Sequence, residues 1–288
     1  MPRLPLATLS LFTLLALLAF AGNSVLCRLA LKHTAIDAAS FTTLRLLSGA
    51  AVLALLVALR RARQPAAAQP AAGHWLSASA LFVYAAAFSF AYISLSAATG
   101  ALLLFGAVQA TMVLHGVRLG ESLRGLPLLG MAIAATGLLG LLLPGATAPP
   151  WQGATLMLAA GVAWGVYTVR GKGQGDPLEV TAGNFLRTVP MAIALIALAW
   201  PWTRWDTQGA LLALTSGAIT SGLGYAIWYA ALPALRVTTA AVLQLSVPVI
   251  TAVAGVALLA EPMNLRLLLA SVAVLGGIGL VVLGRRSG

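Results

Sequence analysis

The chain has 288 residues, 60% of them hydrophobic and only 8% charged, and a mean hydropathy of +0.97, which excludes a water-soluble globular domain. The formal charge of +11 raises nucleic acid as a partner, but the basic residues are scattered over the connections between apolar runs, so they form no nucleic-acid surface.

Crossing a hydrocarbon core of ~30 Å takes about 20 helical residues. Ten runs meet that need in succession: 8–30, 38–59, 75–95, 97–117, 126–143, 152–170, 181–200, 209–231, 237–259 and 265–284. Strands of a membrane barrel would alternate over segments of roughly 10 residues; these runs do not alternate. The expected fold class is an all-α integral membrane protein of ten transmembrane helices, with the bilayer as its constant partner. The longest polar break, "RRARQPAAAQPAAGH", is a Pro/Ala linker with no room for a soluble domain.

The first run carries Asn23, Ser24, Cys27 and Arg28. Arg3, the apolar run and "AFA" also fit a cleavable signal peptide, but the internal repeat described below needs this run as a helix. Asp37 sits in the short loop that follows, and Arg45 lies in the apolar second run just inside the helix end beside that loop. The third run spaces Tyr84, Phe88 and Tyr92 at i, i+4 and i+8, on one helix face. Gln109, Thr111 and His115 fall in the fourth. The sixth has Trp164 and Tyr167, the GxxxG pair Gly161 and Gly165, and Arg170 at its end. Glu179 precedes Arg187 and Pro190 in the seventh, Tyr225, Trp228 and Tyr229 share the eighth, and Gln244, Ser246 and Pro248 belong to the ninth. Trp75, Trp151, Trp200, Trp202 and Trp205 mark membrane interfaces, and Tyr92 and Tyr229 fit the same role.

Lys and Arg concentrate on one side. Arg3, Arg60, Arg61, Arg63, Arg118, Arg124, Arg170, Lys172, Arg236, Arg285 and Arg286 share the face with both chain ends, against Lys32, Arg204 and Arg266 opposite. The positive-inside rule makes both termini cytoplasmic, in a bacterial inner (plasma) membrane.

The chain repeats itself. Arg28 and Arg170, Asp37 and Glu179, and Arg45 and Arg187 are each 142 positions apart, and Glu121 in "GVRLGESL" and Glu261 in "GVALLAEPM" are 140 apart. Residues 1–146 and 147–288 therefore read as two five-helix units. Five is odd, so the second unit enters the membrane from the opposite side, and the repeat is inverted. Inverted repeats are a recurrent build of secondary transporters, with the site near mid-depth between the halves. Asp37 and Glu179 are expected to partner the flanking arginines Arg28 and Arg45, and Arg170 and Arg187, or else these charges mark the membrane boundaries. Pro190 and Pro248 are expected to interrupt their helices near mid-depth, as hinges.

Five stretches, "GVRLGESL", "VALLAEPMNLRLLLASVAVLGGIGLVVLG", "WYAALPALRVTTAAVLQLSVPVITAV" and the paired "TTLRLLSGA" and "GNFLRTVPM", resemble the drug/metabolite transporter superfamily. The likeness is to its EamA-type members, and it covers nearly the whole chain. It implies ten helices in two inverted repeats and a transport function. "ALLLFGAVQATM" resembles the amino-acid exporter branch, whose members release aromatic and other neutral amino acids. The first repeat departs from the pattern in having Val108 where the second has Pro248.

Asn23, Tyr84, Phe88, Gln109, Trp164, Tyr167, Tyr225, Trp228 and Gln244 are the candidate substrate-binding residues, because polar and aromatic groups deep in a span are wasted on lipid. Such a pocket suits a neutral amphiphile, whose carboxylate and ammonium would be received by amides and hydroxyls without a full charge. Arg28, Asp37, Arg45, Arg170, Glu179, Arg187, Pro190 and Pro248 are the candidate structural and gating residues. All six acidic residues fall at helix ends or in loops, which leans away from a proton-coupled cation antiporter and toward facilitated export. His33, His74 and His115 are scattered and no HExxH occurs, so no metal, cofactor or catalytic site is expected. The reading is a monomeric, alternating-access exporter of small neutral metabolites, amino acids foremost. Another amphiphile or drug, or a lipid-linked substrate carried by a flippase on the same scaffold, is the alternative.

Overall fold

The computed structural model describes residues 5–63, 72–120, 125–145, 147–171, 175–231, 234–235 and 243–284. Arg3, Glu121, Arg124, Lys172, Arg236, Arg285 and Arg286 lie outside the described residues. No strand occurs among those described, and the ten helices follow the expected runs. They are α1 Leu6–His33, α2 Ala38–Arg63, α3 Trp75–Tyr92, α4 Ala97–Arg118, α5 Leu126–Leu142, α6 Trp151–Arg170, α7 Pro177–Ala199, α8 Thr207–Ala231, α9 Ser246–Leu259 and α10 Leu265–Gly284. The expected ninth run began at 237, of which 237–242 lie outside the described residues. Seven of the ten are long and apolar enough to cross a membrane by themselves.

Polar side chains set the starts. Asp37 Oδ1 accepts from the backbone N–H groups of Ala39 and Ser40 at 2.9 Å each, capping α2. Asp176 Oδ1 does the same for Leu178 and Glu179 at 3.1 Å and starts α7 at Pro177, four residues before the expected run. His74 caps α3, Ser96 caps α4 and Asp206 caps α8.

The connections sort onto two ends. At one end Asp37 accepts from the Arg204 N–H, Arg28 reaches Tyr92 and Ile93 at the C-terminus of α3 as well as Glu261, and Arg266 reaches Gly140 and Leu143. At the other end Arg60 meets Asp176, Arg61 meets Glu179, and Arg170 reaches Ser77. The C-terminus of α1 therefore lies at the Asp37 end and that of α6 at the Arg61 end, so the two units run in opposite directions. Helix pairings also repeat when each helix is exchanged for the one five further on. α1 packs on α8 as α6 packs on α3, α4 packs on α6 as α9 packs on α1, and α2/α7, α4/α9 and α5/α10 pair with their own counterparts.

The register of that repeat differs from the sequence expectation in the second and seventh helices. Asp37 and Asp176 are the matching caps, and Thr42 and Thr181 each donate to the carbonyl four residues back at 2.7 Å. Both pairs are 139 positions apart, not 142, and the buried faces of α2 and α7 coincide at that spacing. The counterpart of Arg45 is then Asn184, and Arg187 lies most of a turn further on, partly exposed. The shared Leu-Arg dipeptide suggested the other alignment; the position of the capping carboxylate decides it, because it fixes where each helix begins.

Glycines allow the closest crossings. Gly161 and Gly165 of α6 lie against α4, where an added Cβ would stand 2.6 Å from the Leu104 carbonyl oxygen and 2.7 Å from Thr111, so the GxxxG pair marks a helix crossing. Gly217 of α8 crosses α2 at Arg45 and Ser48, with no room for a Cβ. Around it, Ser216–Leu223 widens into a π-helical segment within α8, a distortion that recurs at functional sites.

Candidate functional site

A small cavity lies where the two units meet. It is lined by Phe20, Asn23 and Ser24 of α1, Tyr84 and Phe88 of α3, Leu104 and Phe105 of α4, Trp164 of α6, Thr220 and Tyr225 of α8, and Gln244 just before α9. α1, α3 and α4 are thus met by α6, α8 and the approach to α9, their counterparts under the repeat. The volume is about 20 Å³, room for one water and far below the roughly 300 Å³ of a small-molecule pocket.

Aromatic rings make the walls. Trp164 sits between Tyr84 and Tyr225, with ring centroids 4.8 and 5.1 Å away, and Tyr84, Phe88 and Tyr92 run down one face of α3 with successive centroids 5.4 and 4.8 Å apart. The stripes of α3 and α8 do border one cavity. Tyr92 is fully buried, which corrects its reading as an interface anchor; Tyr229 is half-buried. Trp75, Trp151, Trp200, Trp202 and Trp205 are all exposed.

A ring of hydrogen bonds ties four helices together beside the cavity. Ser216 Oγ donates to Asn23 Oδ1 at 2.8 Å, Asn23 Nδ2 donates to the Tyr84 hydroxyl at 3.2 Å, Arg45 Nη2 donates to that same hydroxyl at 3.2 Å, and Arg45 Nε donates to Ser221 Oγ at 3.2 Å. The circuit runs α8, α1, α3, α2 and back to α8, and it joins α8 through its π-helical segment. Polar contacts of this kind in a low-dielectric interior favour one geometry because a missing partner leaves a buried polar group at high cost.

Arg45 overturns the sequence reading of its role. It was expected near a helix end, facing Asp37, and it is only 2% exposed, about 10 Å along α2 from Ala38. Its guanidinium carbon stands 4.9 Å from the Phe88 ring centroid and 5.3 Å from that of Tyr84. No carboxylate among the described residues touches it, and Nη1 has no partner. The expectation of a site without a full charge is corrected too: a cation stands directly behind two of its wall rings.

The other arginines find partners unlike those expected. Arg28 pairs with Glu261, Nε to Oε1 at 2.8 Å, with the side chains only 11% and 5% exposed. Glu261 Oε2 also accepts from Ala97 N–H at 2.7 Å, at the start of α4. Glu261 thus lies at a helix end yet buried. Arg170 donates to Ser77, and Arg187 donates to the carbonyls of Ala72 and Gly183. Asp37 instead holds its own helix and the Arg204 backbone; burial works against its ionisation, but the hydrogen bonds from Ser40, Arg204 and Ala39 outweigh it and keep the carboxyl below the usual range. Glu179 meets Arg61 at 3.2 Å on the surface. The physical reason is reach: a side chain at a helix end meets the neighbouring helix it packs against, which sequence distance does not reveal.

Of the remaining candidates, Tyr167 packs on Trp164 with centroids 5.4 Å apart, one turn from the cavity wall. Trp228 faces Phe20 at 5.7 Å and stands outside the lining. Gln109 is buried one turn beyond Phe105 with its amide nitrogen unpartnered. His115 is exposed. α7 continues through Pro190 without interruption. Pro248 stands in the first turn of α9 as described, and a one-residue turn at Leu245, whose backbone is itself helical, precedes that helix. Phe20, Leu104, Phe105 and Thr220 were missed. They look like ordinary helix residues, and only the crossing of α1, α4 and α8 turns them inward.

A larger hollow, about 670 Å³, lies elsewhere, between α2 and α7 toward the Arg61 end, and is lined by Val57, Arg61, Trp75, Glu179, Leu186 and Arg187 among others. It is an open crevice bounded by the Arg61–Glu179 surface ion pair.

The sequence profile of the EamA-like transporter family matches residues 151–283. An uncharacterized protein of Pseudomonas aeruginosa is 59% identical over 275 residues, covering 96% of this chain and 94% of its own length. A protein of known crystal structure, 19% identical, superposes with a TM-score of 0.66 over 96% of this chain and 98% of its own, which shows the shared fold.

Proposed function

Because the chain belongs to the EamA-like transporter family of integral membrane transporters, we propose that it is an alternating-access exporter of small metabolites, with aromatic and other neutral amino acids as the leading substrates. The observation that carries this reading is the placement of one aromatic cavity between two oppositely directed units, lined by equivalent helices of both. In such an arrangement, opening one set of crossings while closing its counterpart exposes the same residues to alternate sides. Both termini are cytoplasmic in a bacterial inner membrane, so the Arg61 end faces the cytoplasm and the Asp37 end faces outward.

Walls of Tyr84, Phe88, Trp164 and Tyr225 suit a planar apolar side chain, and Asn23, Thr220 and Gln244 supply hydrogen bonds for its polar end. The polar groups Asn23, Thr220 and Gln244 in the lining favour a soluble metabolite over a lipid-linked one. The energy source is the substrate gradient. The test is purified protein in liposomes, assayed for uptake of labelled amino acids with and without a proton gradient. Uptake of phenylalanine, tryptophan or tyrosine in both conditions is expected. Failure of every amino acid to move would refute the substrate assignment, and dependence on the gradient would refute the uncoupled mechanism.

A further inference from the structure

Resting on that reading of the cavity as the substrate site, we infer that Arg45 and Tyr84 form a carboxylate subsite, so that the substrate must carry a carboxylate while its ammonium group is dispensable. Arg45 is buried with Nη1 unpartnered and no carboxylate of the described residues in contact. A full charge held this way is costly in lipid surroundings unless an anion joins it. Solvent does not reach it, so the compensating anion has to come through the cavity.

Tyr84 is the connection. Its hydroxyl oxygen already accepts from Arg45 and from Asn23, both at 3.2 Å. A phenol oxygen has two lone pairs and one proton; both lone pairs are used, and among the described residues the proton has no acceptor. The group that lines the cavity is therefore left as a donor, and the guanidinium behind it strengthens that donor. Widening the cavity from about 20 Å³ to the size of a ligand requires the wall rings to part. The Phe88 ring, 4.9 Å from the guanidinium carbon, is the layer that separates Arg45 from the space. With that ring turned aside, a carboxylate takes one hydrogen bond from Tyr84 and one from Nη1.

Nothing equivalent awaits a cation. Glu261, the one deeply buried acid among the described residues, is engaged by Arg28 and the Ala97 N–H. Asn23 Oδ1 is already occupied by Ser216. The repeat gives the second half Asn184 where the first has Arg45, and its amide oxygen accepts from the His74 N–H at 2.8 Å. The site is electrostatically one-sided although its scaffold is two-fold.

The test is isothermal titration of the full-length protein in nanodiscs with three probes of one shape: 3-phenylpropionate, phenylalanine and phenylalaninamide. The two carboxylates are expected to bind within about threefold of each other and the amide at least tenfold more weakly, the effect of one lost charge-assisted pair. Tyr84→Phe keeps the ring and is expected to weaken both carboxylates about tenfold without changing the amide. Arg45→Gln is expected to weaken them further, and Arg45→Lys to restore part of the loss. An amide that binds as tightly as phenylalanine, or a Tyr84→Phe protein with unchanged carboxylate binding, would overturn the inference and leave amino-acid export standing. Binding of 3-phenylpropionate without phenylalanine would keep the inference and remove the amino-acid reading. Binding of neither carboxylate would overturn the inference.

Discussion

Glu261→Gln is the sharpest probe of how the Asp37 end is closed. The carboxylate accepts from Arg28 at 2.8 Å and from the Ala97 N–H at 2.7 Å, so it joins α1, α3 and α4 through one nearly buried group between α9 and α10. Removing one member of such a pair leaves a desolvated guanidinium and costs about 3–5 kcal/mol. Glutamine retains an acceptor for Ala97, and Arg28 keeps its bonds to the Tyr92 and Ile93 carbonyls, so the lower figure of about 3 kcal/mol applies. At about 1.4 kcal/mol per decade this shifts the balance between sealed and open forms of this end by roughly a hundredfold. The chain contains its own reporter. Cys27, its single cysteine, is fully buried and adjacent to Arg28. Labelling by a membrane-impermeant maleimide is expected to be slow in the parent protein and at least tenfold faster in Glu261→Gln. The exposed pairs Arg60–Asp176 and Arg61–Glu179 supply the control, since surface pairs are worth at most about 1 kcal/mol; Glu179→Gln is expected to leave Cys27 labelling within twofold of the parent. Equal labelling rates in Glu261→Gln and the parent would refute the idea that this pair holds the end shut.

Three further outcomes are expected. Trp164→Ala and Tyr225→Ala, which remove rings from the cavity wall, and Gln109→Ala, which removes a buried unpartnered amide, should alter liposome flux while membrane insertion is retained; unchanged flux in all three would move the substrate path elsewhere. Gly161→Ala places a methyl group 2.6 Å from the Leu104 carbonyl oxygen and the Ala107 Cβ, and overpacking of this kind costs about 1–3 kcal/mol, read as a lower melting temperature in detergent. Asp37→Ala removes a helix cap worth about 0.5–2 kcal/mol. Because the folded state lowers the Asp37 pKa, that stability is present above the unfolded value of 3.8 and is lost as pH falls through the folded value. The melting-temperature gap between the parent and Asp37→Ala is accordingly expected near neutral pH and should narrow as pH falls below 3.8; a gap that does not change with pH would contradict the assignment.

Hydrophobic run length and the odd number of helices per repeat were enough to determine the membrane class, the ten helices and the inverted build, because lipid leaves a spanning chain no alternative to the helix and geometry dictates the rest. Local spacing likewise placed Tyr84, Phe88, Trp164 and Tyr225 on inward faces, since i, i+4 neighbours share a face whatever they pack against. Tertiary structure alone decided partners and depth. Arg28 meets Glu261 across 233 positions, Arg45 turns into the core to meet Tyr84 and Ser221 and not toward Asp37, and Asp176 shifts the repeat register by three residues so that Asn184, not Arg187, matches Arg45. Those outcomes depend on which helices cross and at what height, and crossings are set by small residues such as Gly161 and Gly217 acting between segments far apart in the chain. A charge inside an apolar run shows in the sequence that something must compensate it; only the packed bundle shows that, at Arg45, no side chain of the described protein does.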